Sequence, residues 1–265
     1  GKIFLKNNFQ IDITSARSEY YKQPAALPDI KFSAIQKDLY RRDFTINAMA
    51  IQINKGNFGK FIDFFGGLKD LKNSIIRILH NKSFEDDPTR ILRAIRFEQR
   101  FGFKIERKTL DILKQTMKKD IFEKLSGERL RDEILLILKE KDAYKILKRG
   151  MSLGIWRKIF SGLGFNKQTK KTLKNKDIFL KESVFKNIDI ECVYLMIFFN
   201  SLNLKQTCRV IDRLKLKNQW KNKILNAKKV EKNICRQIKN LVNNKKRIFI
   251  LLKKFNKEEL FYFVL

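Results

Sequence analysis

The sequence predicts an α+β fold, on three observations. Short apolar runs alternate with a period of two up to about residue 80. From Asp87 onward the period becomes 3.6. Turn-forming residues, Asn7-Asn8, Asn54-Lys55-Gly56-Asn57 and Gly66-Gly67, punctuate the first part.

In chain order, Lys2–Lys6 and Phe9–Thr14 flank Asn7-Asn8 and read as a β-hairpin, with Phe9, Ile11 and Ile13 on one side and Gln10, Asp12 and Thr14 on the other. Residues 18–37, which hold Pro24 and Pro28 among polar residues, read as a long loop of the kind that often carries function. Asp38–Ala50 reads as a short helix running into a strand, Met49–Ile53, with Lys60–Phe64 returning beyond the turn. A short helical stretch and an extended run, Ile75–Leu79, follow the paired glycines. Glu85-Asp86-Asp87-Pro88 is a helix start, an acidic cap followed by proline. On the helix it opens, Ile91, Leu92, Ala94 and Ile95 share one side, while Arg90, Arg93, Arg96 and Arg100 fan across the other, so one side should pack and the other should be cationic. Helical periodicity then covers Lys108–Met117, Ser126–Lys139, Ala143–Met151, Ile190–Ser201, Lys205–Leu214 and stretches between Gln219 and Leu265. Gly162, Gly164 and the lysine-rich Lys167–Lys176 read as a joint.

Composition narrows the chemistry. With 265 residues at 43% hydrophobic the chain can bury a core, and no apolar run approaches the length of about 20 residues that a membrane span needs. The expectation is a soluble, cytoplasmic protein with no membrane association. Three widely spaced cysteines make neither a disulfide framework nor a zinc site, and the single histidine, His80, leaves triads and His-rich metal sites without material. Chemistry must rest on carboxylates, Arg and Lys. The formal charge of +31 points to a polyanion, nucleic acid first, although a lysine-rich solvated surface needs no ligand. Residues 141–265 hold 31 basic and 9 acidic residues, whereas 11 of the 17 arginines lie in the first 140 positions. Arginine's planar fork suits phosphates and base edges.

The densest chemistry lies in Arg41-Arg42-Asp43-Phe44-Thr45-Ile46-Asn47-Ala48. Its cations, carboxylate and amide suit a triphosphate and a ribose hydroxyl, and equally a surface ion-pair cluster. Asp87 and Arg90 share a helix face and together offer an acceptor and donors to a base edge; Asp87 also suits a simple cap and Arg90 a solvated residue. Asp12 suits a metal ligand, or a partner for Arg17 or solvent. Phe97, Phe101 and Phe103 are expected in the core rather than as a base-stacking platform, Trp156 and Trp220 are expected to pack, and His80 to lie at the surface or end a strand.

Taken together, these segments resemble the head of bacterial class II tRNA nucleotidyltransferases and poly(A) polymerases. The resemblance runs in order through Asp12–Tyr20, Pro24-Ala25-Ala26-Leu27-Pro28, Arg41–Ala48, Asp63, Gly66-Gly67, Asp70-Leu71, Ile76-Arg77, Ser83–Phe97 and Gly127-Glu128-Arg129-Leu130-Arg131-Asp132-Glu133. It implies a partial nucleotidyltransferase (polymerase beta-like) head over residues 1–80, a helical neck with a base-reading helix over 81–140, and a basic helical body and tail over 141–265 that binds tRNA. It further implies that an RNA 3′ hydroxyl attacks the α-phosphate of CTP or ATP, aided by Mg2+, to add all or part of the CCA end to the tRNA 3′ end. Arg42, Asp43 and Asn47 would order triphosphate and ribose; Asp87 and Arg90 would read the base, with Asp86 orienting their helix; Arg93 and Arg96 would lie near phosphates. Asp12 matches a third acidic position behind the metal pair.

The family's Gly-Gly-x-x-Arg-Asp segment and following Asp-x-Asp are not in this sequence. An upstream segment or a separate chain is therefore expected to supply the main metal carboxylates. The alternatives are poly(A) synthesis and a non-catalytic RNA-binding subunit or degenerate remnant.

Overall fold

The computed structural model describes residues 1–6, 9–179, 187–241 and 244–264, and divides into two compact units, Gly1–Lys124 and Leu125–Leu265. The first mixes strands and helices; the second is helical among its described residues, so the fold is α+β.

Four two-stranded ladders build the first unit. β1 (Lys2–Phe4) and β2 (Gln10–Asp12) pair antiparallel as expected, with the Asn7-Asn8 turn outside the described residues. Both faces of this hairpin are exposed, so its alternation does not mark an inside and an outside. The expected loop over 18–37 is a second antiparallel hairpin, β3 (Arg17–Tyr20) with β4 (Asp29–Phe32), in register from Arg17 opposite Phe32 to Tyr20 opposite Asp29. The two prolines sit in the connection and leave the ladder intact, and strands of four residues are too short for their alternation to stand out. At the tip, Ala25 takes a positive φ of 63° and donates its N–H to the Glu85 carbonyl at 3.0 Å.

α1 (Ile35–Tyr40) starts before the expected Asp38 and stops well short of the strand it was expected to run into; a 3-10 turn, Thr45–Asn47, then leads into β5 (Met49–Ile51), which pairs antiparallel with β6 (Phe61–Asp63). Asp63 caps α2 (Gly67–Lys72) by accepting from the amides of Gly67 at 2.8 Å and Leu68 at 2.9 Å. A Cβ on Gly67 would collide with the Thr45 carbonyl and the Met49 side chain, so only glycine lets α2 close against the 3-10 turn.

β7 (Ile75–Ile76) pairs in parallel with β8 (Lys104–Ile105), a strand in a short joint of the region expected to be nearly all helical. Two residues carry no readable period, and only the partner makes them a strand. α3 (Ser83–Asp86), α4 (Thr89–Phe101) and α5 (Arg107–Thr116) complete the unit. The apolar stripe of α4 is fully buried with Leu39, Phe44, Ile76 and Phe84. Its opposite side is not the open cationic face expected, because Arg90 and Arg96 are buried too. Phe97, Phe101 and Phe103 flank the stripe and lie outside the core; Phe101 is 49% exposed.

The second unit consists of α6 (Gly127–Lys139), α7 (Ala143–Ser152), α8 (Ile155–Ile159), α9 (Lys167–Phe179), α10 (Ile190–Phe198), α11 (Leu204–Arg213), α12 (Asn218–Asn240), α13 (Lys245–Leu252) and α14 (Lys257–Val264). The lysine-rich stretch read as a joint is α9. Thr169, Thr172 and Leu173 recur at helical spacing on its buried side, and the exposed lysines around them obscured that pattern. α10 is buried along most of its length, and Trp156 and Trp220 pack as expected: the Trp156 indole N–H donates to the Leu147 carbonyl at 2.8 Å and that of Trp220 to Asp189 at 2.5 Å. Gly127 lets α6 start against the Arg213 carbonyl, where a Cβ would clash, while Arg213 reaches back to the Leu125 carbonyl at 2.8 Å. No helix of the described residues is long and apolar enough to cross a membrane.

Candidate nucleotide site

The Arg41–Asn47 segment and α4 are stitched together by their own polar groups. Asp43 is nearly buried. Its Oδ1 accepts from the Phe44 amide and from Asn47 Nδ2, both at 2.9 Å, and its Oδ2 accepts from Arg93 Nε at 2.9 Å and Nη2 at 2.6 Å. Donors on both oxygens fix the carboxylate's orientation. The buried Arg90 donates through Nη2 to the Arg41 carbonyl at 2.7 Å and through Nη1 to Ser83 Oγ at 2.7 Å. A guanidinium has five N–H groups, so donors remain for a ligand. Helix α4 thus grips the segment twice, at residue 41 through Arg90 and at residue 43 through Arg93.

Asp87 lies one turn before Arg90. Its Oδ1 accepts from the Thr89 amide at 3.0 Å and from Thr89 Oγ1 at 2.5 Å, so it does cap α4, with Pro88 at the helix boundary. Asp86 ends α3, 3.9 Å from His80 Nε2. Burial raises the Asp86 carboxyl above its ordinary range despite Arg90, Lys82 and their opposing charge. Burial, then the Arg90 charge, brings the His80 imidazole down to about 4, so it is neutral at pH 7 and stacks on Tyr40 with ring centres 5.2 Å apart. His80 is thus largely enclosed beside the Asp86 carboxylate.

Arg42 is the exposed cation of the group. Its Nη2 lies 3.3 Å from Asp38 and its Nη1 3.4 Å from the Asn47 carbonyl. Arg93 also approaches the Phe97 ring at 5.3 Å and Arg96 approaches it from 4.9 Å. Asp12 stands apart, exposed on β2 with Gln10 Nε2 on its Oδ1 at 2.8 Å; Arg17 pairs instead with Glu19. Among the described residues no group of three or more His, Cys, Asp or Glu could hold a metal ion.

Two carboxylates that sequence reasoning passed over organise this region. Asp38 accepts from Arg41 Nη2 at 2.8 Å, from Arg42 and from the Arg17 amide; burial alone would raise its pKa, but the Arg41 bonds and the amide hold it below the usual range. Glu19 accepts from Arg41 Nη1 at 2.9 Å and Tyr21 Oη at 2.8 Å, joining the β3–β4 hairpin to α1. Helical spacing of three and four from Asp38 to Arg41 and Arg42 was the readable signal; nothing local signals Glu19.

Comparison with known proteins agrees in order along the chain. Residues 2–77 match the poly A polymerase head domain, and residues 102–165 match a probable RNA and SrmB-binding site of polymerase A; together these exceed half the chain. The chain is 47% identical over 161 residues to an A-adding tRNA nucleotidyltransferase of Geobacter sulfurreducens, covering 61% of this chain and 18% of that protein. A CCA-adding enzyme solved in an apo form superposes with a TM-score of 0.84 at 40% identity, over 99% of this chain and 62% of the other. A Thermotoga maritima CCA-adding enzyme complexed with tRNA gives 0.72 at 36% identity, over 99% of this chain and 61% of the other. The chain therefore spans less than two thirds of these relatives' own length.

Proposed function

The chain belongs to the family of tRNA nucleotidyltransferases and bacterial poly(A) polymerases, and on that premise we propose that it selects CTP and ATP to build all or part of the CCA end of tRNA. The observation that carries this reading is the double grip of α4 on residues 41–43. A base-reading pair and a triphosphate-binding segment must be held in a fixed relation for selection to reach the reacting phosphate.

In this reading Arg42, the exposed cation, meets the triphosphate. Asp43, with its orientation set by Arg93 and Asn47, accepts from a ribose hydroxyl. Asp87 offers an acceptor and Arg90 its remaining donors to the edge of the base, with Asp86 behind them at the end of α3. Neither base-reading residue needs to move far, since each is already tied to the backbone of a neighbouring element. The bond formed joins the RNA 3′ oxygen to the α-phosphorus, and the bond broken releases pyrophosphate.

The family's divalent metal is not accommodated by the described residues alone, because Asp12 is a single exposed carboxylate. We assign Asp12 a supporting place behind Mg2+ carboxylates from an upstream segment or a separate chain. The test combines this chain with the part of a relative that it does not cover, and offers tRNA transcripts lacking none, part or all of CCA. Incorporation of CMP and AMP that stops at CCA supports the reading. Addition of AMP alone to transcripts ending in CC narrows it to A-addition, and long adenylate tracts on any RNA replace it with poly(A) synthesis. RNA binding without incorporation leaves a non-catalytic subunit in its place.

A further inference from the structure

An aromatic ladder leads from the candidate site to the surface. Phe44, next to Asp43 and fully buried, meets Phe97 edge-on at 5.8 Å; Phe97 stacks on Phe101 at 5.7 Å with planes 29° apart; Phe101 meets Phe103 at 5.5 Å. Guanidinium groups accompany it, Arg93 and Arg96 over Phe97 and Arg100 over Phe101 at 5.4 Å. Phe101, between Phe97 and Phe103, is 49% exposed, and Arg100 and Lys104 near it in the chain are exposed as well.

The arrangement places a large ring half in water beside two exposed cations. Aromatic rings interleaved with cations are what unpaired bases and their phosphates bind, by stacking and by charge. We propose that Phe101 is a stacking platform for an unpaired base of single-stranded RNA, with Arg100 and Lys104 taking the adjoining phosphates. The ladder's inner end lies at Asp43, so a strand seated there runs toward the candidate nucleotide site. The inference rests on the proposed function only for that direction of travel.

Phe101→Trp places a reporter at the platform, and the unaltered chain, whose Trp156 and Trp220 are buried, supplies the baseline. It is titrated with a single-stranded RNA of about eight nucleotides, a length such grooves hold, and with an abasic strand of equal length. The expected result is quenching by the RNA and none by the abasic strand. Phe101→Leu, which keeps apolar bulk without a π face, should bind the RNA more weakly by on the order of tenfold. RNA that binds, by anisotropy of a labelled strand, without changing the reporter overturns the proposal; so does Phe101→Leu binding as tightly as the unaltered chain. CTP and ATP binding, measured separately, shows which idea fails: stacking lost with triphosphate binding intact removes the platform alone. Stacking retained without triphosphate binding sustains the platform and removes the proposed function.

Discussion

At Gly67 a single hydrogen in place of a methyl decides whether α2 closes on the turn that carries Asn47. Gly67→Ala should destabilise the chain by about 1–3 kcal/mol through overpacking, whereas Lys69→Ala, on the exposed side of the same helix, should stay within about 0.5 kcal/mol. Urea unfolding of both variants measures the difference as a shift in midpoint at constant slope. His80 offers a cleaner readout, since it is the one histidine in the chain. Its folded pKa of about 4 lies below the unfolded value of 6.5, so the unfolded chain binds the extra proton first. His80 therefore subtracts stability as pH falls from 6.5 toward 4 and costs nothing above that window. A single imidazole resonance should titrate near pH 4 in the folded chain, and a midpoint near 6.5 would place the ring in solvent. Arg42, Asp43, Asn47, Asp87, Arg90 and Arg93 stood out in the sequence, but type and spacing suited an ion-pair cluster or a helix cap equally, and their reading as a nucleotide site came from the family resemblance. Asp38 and Glu19 did not stand out, because a buried carboxylate reads as an ordinary surface charge until its partners are seen.

Helix α4 is the element on which the candidate site depends, and its start combines two tasks at Asp87. Asp87→Ala removes the acceptor for the Thr89 amide and should cost about 1 kcal/mol. Asp87→Asn keeps a side-chain oxygen for the cap but presents an amide to a base. The expected pattern is near-normal stability for the Asn variant with CTP and ATP discrimination reduced in binding measurements; unchanged discrimination would leave Asp87 as a cap alone. α4 to α7 and α11 were readable because apolar residues recur at helical spacing within each, and α10 because it is an apolar run too long for a strand. The β3–β4 hairpin, β8 and α9 were not. Two of these are too short for a period to register, and in α9 lysine's abundance hid a stripe of only three residues.

For the whole molecule, charge rather than shape carries the first expectation. The excess of 31 basic over 9 acidic residues in 141–265 predicts tRNA binding whose affinity falls by roughly a hundredfold or more for a fourfold rise in salt, as released counterions are returned. Replacing Lys167, Lys170, Lys171 and Lys174 of α9 with Gln should flatten that dependence, measured by filter binding across a salt series. A slope that does not change would mean that α9 is a solvated face. The sequence by itself determined the α+β class, the large excess of positive charge and the residue types available for chemistry, because these follow from composition and from periods repeated along one element. Only the tertiary structure decided that Arg90 and Arg93 close on residues 41 and 43, that Asp38 and Glu19 bind the hairpin to α1, and that Phe101 stands at the surface. The ties of Glu19 to Arg41, of Arg90 to residue 41 and of Arg93 to residue 43 join groups 22 to 50 positions apart at hydrogen-bond distance, and no local pattern encodes such a meeting.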